Sequence, residues 1–180
     1  TQSRSSAASD VYKRQMSDNT DPIKPVKAQG ARTSFFPPYA LMIGLVASSI
    51  LDSFLIHLPI FEGNVIFLII GLTIAVSSFL IAIYTLKIFS DNEENPHPKS
   101  VQHQLFVGGT FKYSRNPIYL AMIIILLSCG LAFNSLWYVV SAIISFPLLT
   151  YGVIIPEEKY LEKEFGNVYL EYKKSTRRWL

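Results

Sequence analysis

Two short stretches of this chain carry the residue types that do chemistry at a lipid–water boundary. One is Phe111-Lys112-Tyr113-Ser114-Arg115-Asn116-Pro117-Ile118-Tyr119, which gathers a Lys, an Arg, an Asn and three aromatics at the mouth of an apolar run. The other is the acidic pair Glu157-Glu158, directly after another apolar run. Ionisable side chains are costly beside hydrocarbon, so a cluster of them there points to a site before it points to packing. An Arg, two carboxylates, aromatic faces and backbone amides suit a zwitterionic, partly cationic cofactor held next to an apolar substrate. The chain has no Ser-His-Asp order, nucleophile elbow or P-loop. No G-x-G-x-x-G follows a strand, which argues against a soluble nucleotide-binding fold, and Gly108-Gly109 reads as a turn.

The elements that must position these residues are membrane helices. Half of the 180 residues are hydrophobic and 16% are charged, less charge than a soluble domain of this size carries. Mean hydropathy is +0.31. Four apolar runs, residues 38–58, 65–89, 117–133 and 136–155, reach or approach the ~20 residues that a helix needs to cross a bilayer. Only Asn134-Ser135 separates the last two, so they form a tight helical hairpin. All of the 16 Lys and Arg residues except Lys87 lie before residue 38, between 89 and 117, or after 155. Lys87 closes the second run and can snorkel to the same side. The positive-inside rule then places both termini and the middle loop in the cytoplasm. The net charge of +3 follows from this topology and calls for no nucleic-acid partner.

The fold class is therefore all-α integral membrane, with about four transmembrane helices, a tight C-terminal helical hairpin and a cytoplasmic amphipathic C-terminal helix. Three regions are expected: a disordered N-terminal arm over 1–37, transmembrane helices over 38–89, and a catalytic region over 90–180. Residues 1–15 read as a non-native leader before Met16. Asp52 falls in the outer half of the first run, away from the polar cluster, and is expected in an interfacial or interhelical hydrogen bond. His97 and His103 lack further partners at ligand spacing, so no metal is expected. Cys129 is the only cysteine, which excludes an intrachain disulfide. Pro156 suits the first turn of a helix, and Tyr160, Leu161, Phe165, Tyr169 and Tyr172 recur at helical intervals among charges, with a break at Gly166. The basic end Lys173-Lys174 and Arg177-Arg178-Trp179 suits an anionic membrane surface. The hairpin returns Glu157-Glu158 beside Arg115-Asn116.

Gly109-Thr110-Phe111-Lys112-Tyr113-Ser114-Arg115-Asn116-Pro117-Ile118-Tyr119 resembles the Gly-Pro-Tyr-Arg-Tyr-x-Arg-(Asn/His)-Pro-x-Tyr motif of the isoprenylcysteine carboxyl methyltransferase family, which belongs with the membrane phospholipid methyltransferases. Glu157-Glu158, Leu161, Phe165-Gly166, Tyr169 and Tyr172 are similar to that family's Glu-Glu-x-x-Leu-x-x-x-Phe-Gly-x-x-Tyr-x-x-Tyr ending. The resemblance covers about residues 95–180. It implies an integral membrane methyltransferase that takes S-adenosyl-L-methionine from the cytosolic side and a lipophilic acceptor from the bilayer, in a bacterial inner membrane or the endoplasmic reticulum. Carried over residue by residue, it implies a donor pocket of His103, Gln104, Leu105, Phe106, Phe111, Asn116, Pro117, Ile118, Tyr119, Glu157 and Glu158, with Arg115, Asn116 and Glu158 at the catalytic centre. Thr110 stands where the family has proline. The family's Arg shortly upstream of the acidic pair, which contacts the prenylcysteine carboxylate, is replaced here by Val153, Ile154 and Ile155. Phospholipid or small-thiol methylation, a sterol-reductase-like NADPH enzyme and a non-catalytic membrane protein are the alternatives.

Overall fold

A computed structural model of the chain describes residues 30–180, and among them there is helix and connecting backbone but no strand. The leader over 1–15 and most of the polar arm lie outside the described residues. Five α-helices follow in order: α1 (Pro38–Ile50), α2 (Val65–Asp91), α3 (Pro117–Ala132), α4 (Leu136–Leu149) and α5 (Ile155–Ser175). Among the described residues three helical runs are long and apolar enough to cross a membrane, so this is an integral membrane protein: Pro38–Leu55, Val65–Asp91 and the continuous run Leu136–Ser175, whose apolar part precedes Pro156.

Local chemistry sets the ends of these helices. α1 loosens into a π-helical turn over Leu51–Leu55 and stops where Ile56 turns extended at φ −155°, short of the expected residue 58, because Pro59 drives Leu58 out of helical geometry. The Asn64 side chain accepts from the Ile66 N–H at 2.9 Å and caps α2. Pro117 opens α3, where its missing N–H costs nothing. Pro147 lies inside α4, and a π-helical turn over Thr150–Ile154 absorbs the lost hydrogen bond and carries the chain into α5.

α3 has only 16 residues, about 24 Å at ~1.5 Å per residue, against a hydrocarbon core of ~30 Å. The helix is nevertheless the centre of the bundle. Tyr119, Met122, Ile123 and Leu126 of α3 pack with Ala142, Leu149, Val153 and Ile154. The outer faces of α1, α2 and α4 leave Ile43, Ile69, Leu80 and Ile143 exposed, as expected of side chains that lipid covers. Small residues bring the helices together. A Cβ on Gly71 of α2 would lie 2.6 Å from the Ala132 nitrogen and 2.7 Å from the Ser128 carbonyl oxygen of α3, so glycine is what permits this approach. The hydroxyls of Ser48 on α1 and Ser141 on α4 meet at 2.7 Å.

The end of the bundle that carries no Lys or Arg is tied by the hairpin turn. Asn134 sits at φ 51°, accepts from the Ile60 and Phe61 N–H groups at 3.0 and 3.1 Å, and donates to the Phe61 carbonyl at 2.7 Å. Asp52 meets His57 at 3.0 Å at this same end, remote from Arg115. At the other end, the arm expected to be disordered through residue 37 is packed from Gly30 onward. The Ala31 N–H donates to the Pro98 carbonyl at 3.1 Å and that of Ser34 to the Gly152 carbonyl at 2.8 Å, and Pro37 is fully buried.

The α2–α3 contact gives a direct test. Gly71→Val should lower the thermal unfolding temperature in detergent clearly, because the atoms it meets are backbone and cannot turn aside. Gly63→Val, where nothing lies within 4 Å, should leave it nearly unchanged. Equal melting of the two variants would refute this packing.

Candidate active site

Arg115 is placed by three elements at once. It follows a 3-10 turn over Gly109–Lys112 and precedes the start of α3. Its Nη2 donates to Glu158 Oε1 at 2.7 Å, and both side chains are buried, at 7% and 6% exposure. Its Nη1 donates to the Thr176 carbonyl at 2.5 Å and the Lys173 carbonyl at 3.3 Å, at the end of α5 where unpaired helix carbonyls favour a cation. Its own N–H donates to the Arg177 carbonyl at 3.0 Å. Arg178 closes the cluster from the tail: its Nε and Nη2 donate to Glu158 Oε1 and Oε2 at 3.0 and 2.8 Å. Asn116 Nδ2 donates to the Arg178 carbonyl at 2.9 Å, and the Asn116 N–H to Ser114 Oγ at 3.1 Å.

Glu157 faces the other way. The Tyr119 hydroxyl donates to its Oε2 at 2.9 Å, and its carboxylate has no other hydrogen-bond partner among the described residues. Consecutive helical positions diverge by about 100°, so one glutamate turns to the arginines and its neighbour to α3.

Burial alone would raise the Glu158 carboxyl, but the guanidinium groups of Arg178 and Arg115 outweigh it and hold that group below its ordinary range. Glu157 is only partly screened from the cleft, yet protein crowds it on its remaining sides. Burial pushes its carboxyl up to about 7; the Tyr119 hydrogen bond pulls the other way, and the Glu158 charge adds to the rise. Near neutral pH the cluster thus keeps one permanent carboxylate and one that gains or loses a proton.

Aromatic rings wall the space above these groups. Phe106 and Phe111 each lie against Phe89, with ring centroids 4.9 and 5.8 Å apart. The Tyr172 hydroxyl donates to the Phe111 carbonyl at 2.6 Å. Tyr169 and Phe165 complete this packing. Gly166, at φ 52° and ψ −127°, breaks α5 in a region that side-chain-bearing residues avoid, and so lets the later turn bring Tyr169 and Tyr172 over the site.

The result is a cleft of about 410 Å³, counting the solvent-filled space at its open mouth. Of the residues expected at the site, Leu105, Phe106, Phe111, Arg115, Asn116, Glu157 and Glu158 line it. Pro117, Ile118 and Tyr119 line an adjoining cleft of about 290 Å³. His103 and Gln104 line neither and are exposed; the His103 N–H donates to the buried Glu94 at 2.8 Å. Sequence reasoning missed Phe89 and Gln102, which line the larger cleft, and Arg178. Phe89 ends an apolar run and carries no distinguishing signal. Arg178 reads as a membrane-surface charge because only the folded tail brings it to Glu158.

Residues 63–168, more than half of the chain, match the family model described as phospholipid methyltransferase. No curated protein matches the chain. The match spans α2 to the first half of α5 and includes the whole of the first motif and the second as far as Gly166. It redirects the resemblance from the isoprenylcysteine carboxyl methyltransferases to their phospholipid-methylating relatives, and the site agrees. Where a prenylcysteine-binding Arg is expected before the acidic pair, Val153 and Ile154 are fully buried in the bundle core. With an all-helical membrane bundle, both motifs in place and this match over more than half its length, the chain belongs to the phospholipid methyltransferase family, whose members are membrane methyltransferases that use S-adenosylmethionine.

Proposed function

We propose that this chain methylates the amine headgroup of a membrane phospholipid, with S-adenosylmethionine bound in the larger cleft on the cytoplasmic side. The observation that carries the reading is the juxtaposition of buried, arginine-paired Glu158 with partly free Glu157 beneath an aromatic wall, at the mouth of a short membrane helix. The residues present fit that cofactor. Carboxylate and ring faces suit its ammonium and sulfonium. Buried Arg115 Nε has no partner among the described residues and is a donor left for its carboxylate; the other two guanidinium nitrogens are committed to Glu158 and α5. Leu105 and Phe106 offer apolar contact for its adenosyl part.

When bound, the cofactor supplies an electrophilic methyl group. The protein contributes position and exclusion of water, which is what an in-line displacement requires. No nucleophilic residue is needed. Basic residues gather at this end of the bundle, consistent with a cytoplasmic site, and the acceptor's acyl chains remain in the bilayer alongside the apolar helices.

Calorimetric titration of S-adenosylmethionine into the detergent-purified protein should show saturable binding, whereas NADPH should show none. Phe106→Ala, which leaves the ion cluster intact, should weaken donor binding several-fold. A folded sample that ignores the donor would refute the reading. Arg115→Ala should also destabilise the fold by up to ~3–5 kcal/mol in denaturant titrations, because it removes the buried one of the two guanidinium partners of a buried carboxylate and leaves only the more exposed Arg178. Arg178→Ala should cost less, since that side chain is 36% exposed. The reverse order would refute the proposed weight of the two pairs.

A further inference from the structure

Residues 30–36 precede the stretch that matches the phospholipid methyltransferase family, and they line neither cleft. They nevertheless tie together two segments that do. One is the loop between α2 and the 3-10 turn, which gives Pro96 to the smaller cleft and Gln102, Leu105 and Phe106 to the larger. The other is the π-helical turn over Thr150–Ile154, which leads into α5 with Glu157 and Glu158 in its first turn.

The grip on the loop falls between the residues it lends to the two clefts. The Ala31 N–H donates to the Pro98 carbonyl at 3.1 Å. The Phe36 ring stacks on His97, with centroids 5.1 Å and planes 10° apart. A Cβ on Gly30 would overlap the backbone of Lys99 and Ser100, so only glycine lets the segment lie this close. The grip on the turn uses an acceptor that a proline leaves over. Pro156 has no N–H to offer the Gly152 carbonyl one helical turn before it, and the Ser34 N–H donates to that carbonyl at 2.8 Å. Phe35 packs on the bundle core beside it, its ring 2.8 Å from where a Gly152 Cβ would stand. Two further ties hold the second half of the loop: the His103 N–H donates to Glu94 at 2.8 Å and the Gln102 N–H to the Tyr160 hydroxyl at 3.0 Å. The segment at 30–36 holds the first half.

Resting on the donor-cleft reading for its ligand, we propose that residues 30–36 form a strap that positions the 96–106 loop against the start of α5, so that docking of the strap and binding of S-adenosylmethionine favour one another. The strap touches no ligand and takes no part in methyl transfer; it acts through Gln102, Leu105 and Phe106. Irregular backbone opens locally at low cost. Each opening withdraws those side chains from the cleft, so apparent affinity falls with the fraction of molecules whose strap is docked. Such coupling is reciprocal, and the donor must in turn hold the strap down. The docked strap carries one flaw. Thr33 Oγ1 is buried without a hydrogen-bond partner among the described residues, which weakens docking.

Hydrogen exchange on the detergent-purified full chain, without ligand, tests the strap. Gly30→Ala should speed exchange over 96–106 while α3 and the unfolding temperature change little. Phe36→Ala should do the same, and Phe36→Tyr, which keeps the ring, should behave as wild type. Thr33→Val, which removes the unpaired hydroxyl, should slow exchange there. In calorimetry Gly30→Ala should weaken S-adenosylmethionine binding about tenfold, the loss expected when one strap in ~10 stays docked. In the wild type the donor should slow exchange over 31–36, although those residues do not reach the cleft. Unchanged exchange over 96–106 in both Gly30→Ala and Phe36→Ala would overturn the strap. Faster exchange there with unaltered donor affinity would overturn the coupling. Faster exchange throughout the bundle with a lowered unfolding temperature would make the segment a general support and overturn its positioning role. A wild type that ignores the donor would strike the reading beneath, whereas the ligand-free exchange decides the strap by itself.

Discussion

A single buried carboxylate, Glu158, organises the charged end of this bundle. Its side chain is 6% exposed, and a charge so far from water persists only when paired and hydrogen-bonded. It is satisfied by an arginine 43 residues earlier and another 20 residues later. Meeting both demands fixes three things at once: the mouth of α3, the direction of α5 and the path of the tail back across Arg115 and Asn116. The tail is held by main-chain carbonyls of Lys173, Thr176 and Arg178 acting as acceptors. The motif residues and the segment that caps them therefore form one polar network, which is a condition for holding charged groups beside lipid.

The membrane part of the structure was legible because its physics is local. Apolar runs, the absence of Lys and Arg from two connections and the prolines at helix starts all act within a few residues. Gly166 was legible as a break for the same reason. The site was legible only in part. Arg115 and the acidic pair stood out because charge beside hydrocarbon is rare. Phe89 and Gln102 did not, because their role depends on which faces meet across the bundle. Arg178 was read as a surface charge, although its side chain lies 2.8 Å from Glu158; a tail that crosses back over the motif has no signature in spacing or hydropathy. His103 and Gln104 fell the other way: they belong to the motif region in sequence, but the loop after α2 turns them outward, with the His103 N–H bonded to Glu94. The arm over 1–37 reads as disordered, its stretch 17–33 being polar and proline-containing, yet from residue 30 onward two backbone hydrogen bonds and the burial of Ala31 and Pro37 hold it.

The shortness of α3 has a positional consequence. At 16 residues it cannot match the 27-residue α2 beside it, so the loop segments at the two ends of α3 are drawn toward the bilayer. At one end this is harmless, because Asn134 satisfies the backbone of the neighbouring connection. At the other it sets Arg115, Asn116 and Glu157 near the hydrocarbon boundary. A lipid headgroup and a water-soluble cofactor can meet only at that depth. The close approach of α2 through Gly71 keeps α3 in place there, and Phe89 near the end of α2 supplies a wall of both clefts.

Two adjacent glutamates on one helix turn end with opposite properties, and helix geometry is the cause. A rotation of ~100° per residue directs neighbours to different partners. Glu158 meets two guanidiniums and stays ionised; Glu157 meets a phenol and an apolar flank, and its carboxyl rises to about 7. With Glu157 protonated, Glu158 and the two arginines leave the cluster one positive charge in excess, which disfavours a cationic ligand. With Glu157 ionised the cluster is neutral, and such a ligand enters without that repulsion. Loss of the Glu157 proton therefore makes room for positive charge in the clefts, and the arrival of an ammonium or sulfonium draws that proton off. The pairing of a fixed carboxylate with an adjustable one couples ligand charge to proton movement, using only the register of one helix against its neighbours.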